Sequence, residues 1–324
     1  MHIEKKPKVV IALPLPPEQV ARIAAVAEVV CPTGTAAMSP NELKTALLDA
    51  DAVVLSVFQP VGATLLTGAP RLRYLTSIGV GTDHIDLAAC AHRGITVTNT
   101  PGVVNEPTAD HVFALMLAAA RKVVEADAYV RAGRWTSPHA PLLGLDLHHR
   151  TLGIIGLGAI GSQVARRASG FEMKVLYAQP KRAQPEVEAK LGATHVSVDA
   201  LLAQSDFVVV QVPLLPGTRH LIDATAFARM KKTAILVNAA RGGVVDDAAL
   251  AQALTEGRIA GAALDVVENE PAVLHALLQA PNLVLSPHLG SATGATRYAM
   301  VVQAVDNLLA GLSGAVPPDR VRAA

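Results

Sequence analysis

Two cysteines in 324 residues are too few for a disulfide framework, and neither Cys31 nor Cys90 belongs to a metal-ligand spacing. The pair reads as thiols of a reducing compartment, and no metal is expected. Charge of one sign is also missing. The formal net charge is +1, so no global field draws the chain to nucleic acid or to an anionic membrane. Long apolar runs are absent as well. The longest, Val112–Ala120, falls far short of the roughly 20 residues of a membrane span. The run Val9–Leu13, after Lys5, Lys6 and Lys8, is shorter than the apolar stretch of a signal peptide and reads as a first strand. Aromatic residues make up only 3% of the chain. Their scarcity beside abundant alanine suits helices packed closely on a sheet. A cytoplasmic protein is expected, with no membrane or nucleic-acid partner.

What is present is enough apolar residue, 51%, to fill two cores in a chain of 324 residues. Short β-branched runs alternate with helical stretches, the pattern of a parallel sheet with crossover helices. Strands are expected at Lys8–Leu13, Ala52–Val57, Leu72–Thr76 and Thr96–Thr98, with helices such as Pro17–Ala27, Pro40–Ala50 and Asp86–Arg93 between them. Pro101–Pro107 reads as a linker, followed by helices at Thr108–Val123 and Val124–Ala132. A second series of strands follows at Leu152–Ile155, Lys174–Tyr177, Phe207–Gln211, Ala234–Asn238, Gly261–Val266 and Leu283–Leu285. The last helix, Ala295–Leu312, has no strand of its own and is expected to return to the first domain. The expected domains are therefore 1–100 with 294–324, and 101–293.

The run Gly156-Leu157-Gly158-Ala159-Ile160-Gly161 lies between the strand ending at Ile155 and a helix reaching Ala168. In a dinucleotide cradle the first glycine permits the tight turn and the second lets the pyrophosphate approach. The third lets helix and strand pack closely, and the helix N-terminus offers N–H groups to the phosphates. The next strand ends at Tyr177, where an NAD enzyme usually places a carboxylate on the adenine ribose. Here Ala178-Gln179-Pro180-Lys181-Arg182 follows, with no carboxylate and two cations. Those residues point to NADP(H), with NAD(H) as the other candidate; the plain reading of Lys181 and Arg182 is a solvated turn.

Three residues after later strands fit a hydride-transfer reaction on a 2-keto acid: Arg241, Glu270 and His288. Such a reaction needs a proton donor at the carbonyl oxygen and cations or N–H groups for the carboxylate. An imidazole suits the first task. Glu270 can hold the ring and favour its charged form, and the planar guanidinium of Arg241 suits the carboxylate and the carbonyl oxygen.

Four blocks then carry a resemblance over nearly the whole chain: Ser77–Asp86, Asn99–Asp110, the glycine loop, and the Arg241, Glu270 and His288 set. Together they resemble the D-isomer-specific 2-hydroxyacid dehydrogenases. Formate dehydrogenases of the same fold differ, placing an amide where Glu270 stands. The stretch Pro287–Thr293, with Thr296, Arg297 and Met300, is most similar to the glyoxylate/hydroxypyruvate reductases, including 2-ketogluconate reductases.

The resemblance implies an α/β fold of two Rossmann-like domains: a doubly wound nucleotide-binding domain and a flavodoxin-like, discontinuous substrate domain. It implies that the main-chain N–H groups of Val80 and Gly81 hold the substrate carboxylate alongside Arg241 and His288. Thr108, Val212, Pro213, Thr218, Ala239, Ala240, Asp265 and Gly290 join Gly156–Gly161 at the cofactor, Asp265 near the nicotinamide carboxamide. Relatives with a second tryptophan after Trp135 reach into a partner's pocket; here Pro138–Leu143 stands instead, implying a roomier pocket. The activity implied is NADPH-dependent reduction of glyoxylate or hydroxypyruvate by a homodimer, with Val112–Ala120 as its contact face or else as core. The alternatives are a 2-ketogluconate or aryl-pyruvate reductase and, in another class, a nucleotide-sensing corepressor-like protein.

Overall fold

The computed structural model describes residues 6–322, so Lys5 and the outermost ends of the expected first domain lie outside the described residues. The chain forms two compact units. One comprises the chain up to Val104 with the stretch from Thr293, and the other is Asn105–Ala292.

In the first unit, β1 (Lys8–Ile11), α1 (Pro17–Ala24), β2 (Glu28–Val30), α2 (Pro40–Ala46), β3 (Ala52–Ser56), α3 (Ala63–Thr67), β4 (Tyr74–Ile78), α4 (Leu87–His92) and β5 (Thr96–Thr98) alternate along the chain. The sheet is parallel throughout, in the order β2-β1-β3-β4-β5. That is the flavodoxin-like order. Val9, Val10, Ile11, Val53, Val54, Leu55 and Leu75 are all fully buried, as expected where helices cover both faces of a parallel sheet. The C-terminal helix Gly294–Leu312 completes this core with Met300, Ala304, Val305 and Leu308. Near its end Gly311 sits so close to Tyr74 that a Cβ would come within 2.7 Å of ring atoms. The tail then covers the edge strand: Arg320 bridges Thr98 antiparallel, and the Val321 N–H donates to Val97 O.

The second unit opens with α5 (Asn105–Ala120) and α6 (Val123–Arg131). It continues through β6 (Thr151–Ile155), α7 (Ala159–Ala168), β7 (Lys174–Ala178), α8 (Pro185–Leu191), β8 (Ala193–His195), α9 (Val198–Gln204), β9 (Phe207–Val210) and α10 (Ala224–Arg229). It closes with β10 (Ile235–Asn238), α11 (Asp247–Thr255), β11 (Gly261–Leu264), α12 (His275–Leu278) and β12 (Leu283–Leu285). These strands form one parallel sheet in the order β12-β11-β10-β9-β6-β7-β8. The order reverses between β6 and β9, which places the ligand crevice beyond their carboxyl ends. Alternate residues of one strand face opposite layers. Leu152 and Ile154 join α5 and α7 in one core, whereas Ile155 joins the layer of α9, α10 and α11.

Two strands, one strand start and one helix start differ from the sequence expectation. The edge strands β2 and β8 carry no apolar run long enough to mark them. β4 begins two residues late because Leu72 enters the core from a turn, its N–H bonded to Ala69 O. Helix α5 begins at Asn105, inside the expected linker, since Pro107 in a first turn gives up only an N–H that has no helical partner there. Val112, Phe113, Leu115, Met116 and Ala120 are buried within their own unit. Those side chains belong to the core of their unit, while Ala114 is exposed.

Candidate active site

In the second unit, every expected functional segment except Thr108 on α5 emerges from the same edge of the sheet. β6 delivers the glycine loop, β7 Gln179, β9 Val212 and Pro213, β10 Ala239–Arg241, β11 Asp265 and Glu270, and β12 His288 and Gly290.

The glycine loop fits a dinucleotide. Gly156 has φ +98, and a Cβ on it would come within 2.5 Å of Gln211 O and 2.8 Å of a Val212 methyl group. At Gly161 a Cβ would collide with the Gly156 carbonyl. Only glycine lets the turn close against the chain leaving β9 and against α7. A Cβ at Gly158, by contrast, would meet nothing within 4 Å. The N-terminus of α7 beside it has no side-chain cap, so N–H groups at Ala159 and Ile160 face the open side of the loop. Gln179 crosses the turn: its Oε1 accepts from the Leu157 N–H at 2.9 Å, and its Nε2 donates to Lys181 O at 2.7 Å. Thr218 closes the neighbouring loop by donating to Pro213 O at 2.6 Å.

The reacting groups are assembled around His288. Its Nδ1 lies 2.8 Å from Glu270 Oε2, and Glu270 Oε1 accepts from the Val267 N–H at 3.3 Å. The imidazole and the carboxylate are each roughly a fifth to a quarter exposed, 22% and 24%. His288 adopts φ +56, a conformation that side chains other than glycine seldom take without support. Asp265 supplies that support. The His288 N–H donates to Asp265 O at 2.8 Å, the Leu289 N–H to Oδ1 at 2.7 Å and the Gly290 N–H to Oδ2 at 2.8 Å. Ser286 donates to Oδ1 at 2.6 Å, and His111 Nε2 approaches the same oxygen at 3.1 Å. Burial opposes the Asp265 charge, but the bonds from His111, Ser286 and Leu289 outweigh it and hold the carboxyl at about 2. Thr108 packs beside Gly290, where a Cβ would press on Thr108 and on Asp265 Oδ2, each at 3.3 Å.

Arg241 stands in extended conformation at the end of β10. The fully buried Asn238 clamps that turn, accepting from the Ala240 N–H at 3.1 Å and donating to Arg241 O at 2.9 Å. Gly242 is pressed against the Val267 carbonyl so closely that any side chain would overlap it. The same two segments are knotted again a few residues on. The Glu268 N–H donates to Asp247 Oδ2 at 3.0 Å; His220 Nε2, from the stretch between β9 and α10, also bonds Glu268 Oε1. Arg241 and Glu270 are thus set by one backbone junction. Burial, with the charges of Glu268 and Asp246, pushes the Asp247 carboxyl up to about 6, against the bond from Glu268 N–H.

In the first unit, the turn after β4 carries Val80 and Gly81. Thr100 Oγ1 accepts from the Gly79 N–H at 3.0 Å, and Asn99 Nδ2 donates to Val80 O at 2.8 Å. Among the described residues nothing accepts from the N–H groups of Val80 and Gly81, which suits them to an anion.

Sequence reasoning passed over Asn238, His220, Asp247 and Glu188, and set His111 aside as a packing or capping residue. Asn238 had a signal, a polar residue closing the apolar strand Ile235–Val237. So did His111, three residues after Thr108 on one helix face. Glu188 had none. It arrives from α8 to bind Arg182 at 2.9 and 2.8 Å, placing a carboxylate where the local sequence showed only cations.

Known proteins are similar to this chain over most of its length. The sequence model of the D-isomer specific 2-hydroxyacid dehydrogenase NAD binding domain matches residues 113–290. A glyoxylate reductase of Korarchaeum cryptofilum is 49% identical over 84% of this chain and 83% of its own. One from Thermococcus litoralis is 43% identical over 98% and 97%. The crystal structure of an NADPH-dependent glyoxylate/hydroxypyruvate reductase from Sinorhizobium meliloti, in complex with NADP and malonate, superposes with a TM-score of 0.88. It is 33% identical, over 99% of this chain and all of the other.

Proposed function

Because this chain belongs to the D-isomer specific 2-hydroxyacid dehydrogenases, a family of NAD(P)-dependent oxidoreductases, we propose that it reduces glyoxylate and hydroxypyruvate, to glycolate and D-glycerate, with NADPH as preferred donor. The observation that carries the reading is the His288–Glu270 pair, 2.8 Å apart on the cradle's side of the sheet. The chemistry a reduced nicotinamide supplies when bound is a hydride for C2 of the keto acid.

The remaining work falls to the chain. Glu270 accepts from Nδ1 of His288, so the proton passed to the substrate oxygen is the one at Nε2; solvent then restores it. The carboxylate pins the ring and offsets its charge. Arg241 offers planar donors to the substrate carboxylate and to the oxygen that gains charge. The N–H groups of Val80 and Gly81, in the first unit, are assigned to a carboxylate of the substrate. In this reading residues 1–100 with 294–324 bind substrate and 101–293 bind the dinucleotide along Gly156–Gly161, with contributions from Thr108, Val212, Pro213, Thr218, Ala239, Ala240 and Gly290. Asp265 acts through the loop it holds. Gln179, Lys181 and Arg182 take the phosphorylated ribose.

We also place a homodimer contact on α6 and the segment after it, where Val123, Val124, Val130, Trp135 and Leu143 are exposed; light scattering that finds a monomer refutes this. Activity is tested by NADPH and NADH oxidation against glyoxylate, hydroxypyruvate, 2-ketogluconate and phenylpyruvate. Turnover of the two small acids, faster with NADPH, is the expected result. Turnover of the large acids alone overturns the substrate, and dinucleotide binding without any turnover overturns the enzyme reading.

A further inference from the structure

We propose that Glu188 restrains the preference for the phosphorylated dinucleotide by holding Arg182 in a two-pronged ion pair beside the adenosine ribose. The inference rests on the reading above, in which the dinucleotide runs along the glycine loop and its ribose meets Gln179–Arg182. Arg182 is 67% exposed on the turn after β7, whereas Glu188 on α8 is 11% exposed. Nε of Arg182 donates to Oε1 at 2.9 Å and an NH2 hydrogen to Oε2 at 2.8 Å. An exposed arginine ordinarily samples many rotamers, and an exposed ion pair does little to stop it.

This pair is anchored from beneath. The Tyr177 hydroxyl donates to Oε1 at 2.5 Å and accepts from the Ala183 N–H at 2.9 Å. The Tyr177 ring is fully buried. The carboxylate therefore cannot swing away without leaving the phenol O–H with no acceptor. Bonds from Arg182, and next from Tyr177, hold the Glu188 carboxyl at about 2, so it is ionised near neutral pH.

Two consequences follow at the ribose. One edge of the guanidinium is already spent, leaving the other for a phosphate. A fixed negative charge also stands beside the place where the 2′-phosphate brings roughly −2. Ribose hydroxyls carry no such charge and are indifferent to it. Lys181, which makes no ion pair among the described residues, remains as the unneutralised cation. The expected wild-type preference is then smaller than two unopposed cations would give.

The test is calorimetric affinity for NADP+ and NAD+ at fixed ionic strength, with no turnover needed. Glu188→Gln keeps the size of the side chain and removes its charge. It is expected to tighten NADP+ by about three- to tenfold while NAD+ is little changed. Arg182→Ala is expected to weaken NADP+ alone. A Glu188→Gln change that moves both dinucleotides together, or neither, while Arg182→Ala weakens NADP+, overturns the role of Glu188 and leaves the binding mode standing. An unchanged NADP+ affinity in Arg182→Ala overturns the binding mode, and the proposal with it.

Discussion

Glu270 and His288 lie eighteen residues apart in the chain, on loops leaving neighbouring parallel strands, yet a carboxylate oxygen of one is 2.8 Å from Nδ1 of the other. Neither loop makes the pair alone. Glu270 is placed by the junction of Val267–Glu268 with Gly242 and Asp247, and His288 by the bonds that converge on Asp265. The imidazole and the carboxylate are therefore held by the same sheet edge from which both emerge.

Replacing His288 with Ala is expected to lower kcat by about a hundred- to ten-thousandfold, the usual worth of a positioned proton donor. Dinucleotide affinity, measured by calorimetry, should stay close to wild type. Near-normal turnover would remove His288 as the acid.

Asp265→Asn retains one acceptor but turns an amide N–H2 toward N–H donors at Leu289 or Gly290. The loop carrying His288 should lose its pose, and kcat should fall at least tenfold with only a modest change in dinucleotide affinity. Steady-state kinetics with calorimetry check both. Loss of affinity without loss of kcat would instead place Asp265 directly on the cofactor.

Asp247 makes a prediction about stability and pH. Its Oδ1 has no hydrogen-bond partner among the described residues, and its folded pKa of about 6 lies above the ordinary value. The folded chain thus binds the proton more tightly than the unfolded one. That contribution is complete below the ordinary carboxylate range and is lost as pH rises through about 6. Asp247→Asn should therefore gain in unfolding free energy over wild type as pH rises from about 4 to about 7, by about 2–3 kcal/mol in denaturant unfolding at each pH. A gap that does not change with pH would show that Asp247 titrates normally.

Gly242→Ala forces a methyl group into the Val267 carbonyl, with main chain on both sides. A cost of about 1–3 kcal/mol is expected in denaturant unfolding, together with a raised KM for the keto acid as Arg241 shifts. An unaffected KM would detach the Arg241 turn from this junction.

Much of the plan could be read from the residues because strand ends advertise themselves. Gly156–Gly161, Arg241, Glu270 and His288 each follow an apolar run, and a parallel sheet must bring such positions to one edge. The long central strands were visible for the same reason. The edge strands Glu28–Val30 and Ala193–His195 were not, being three residues long and only partly buried. The supporting groups were the least visible. Nothing near Arg182 in the sequence marks Glu188 as its partner, because α8 sets that distance. Nor does Asp265 announce that its charge holds the His288 loop. Partnerships fixed by how an element folds back leave no local pattern.

The return of Gly294–Leu312 to the first unit has a consequence for the order of events during synthesis. Residues 105–292 form a continuous stretch and can fold once translated. The sheet emerging before them must wait for Met300, Ala304, Val305 and Leu308 to cover one of its faces. On the ribosome the first-made portion is therefore the last to mature, and its uncovered strands are the surface most in need of chaperone protection.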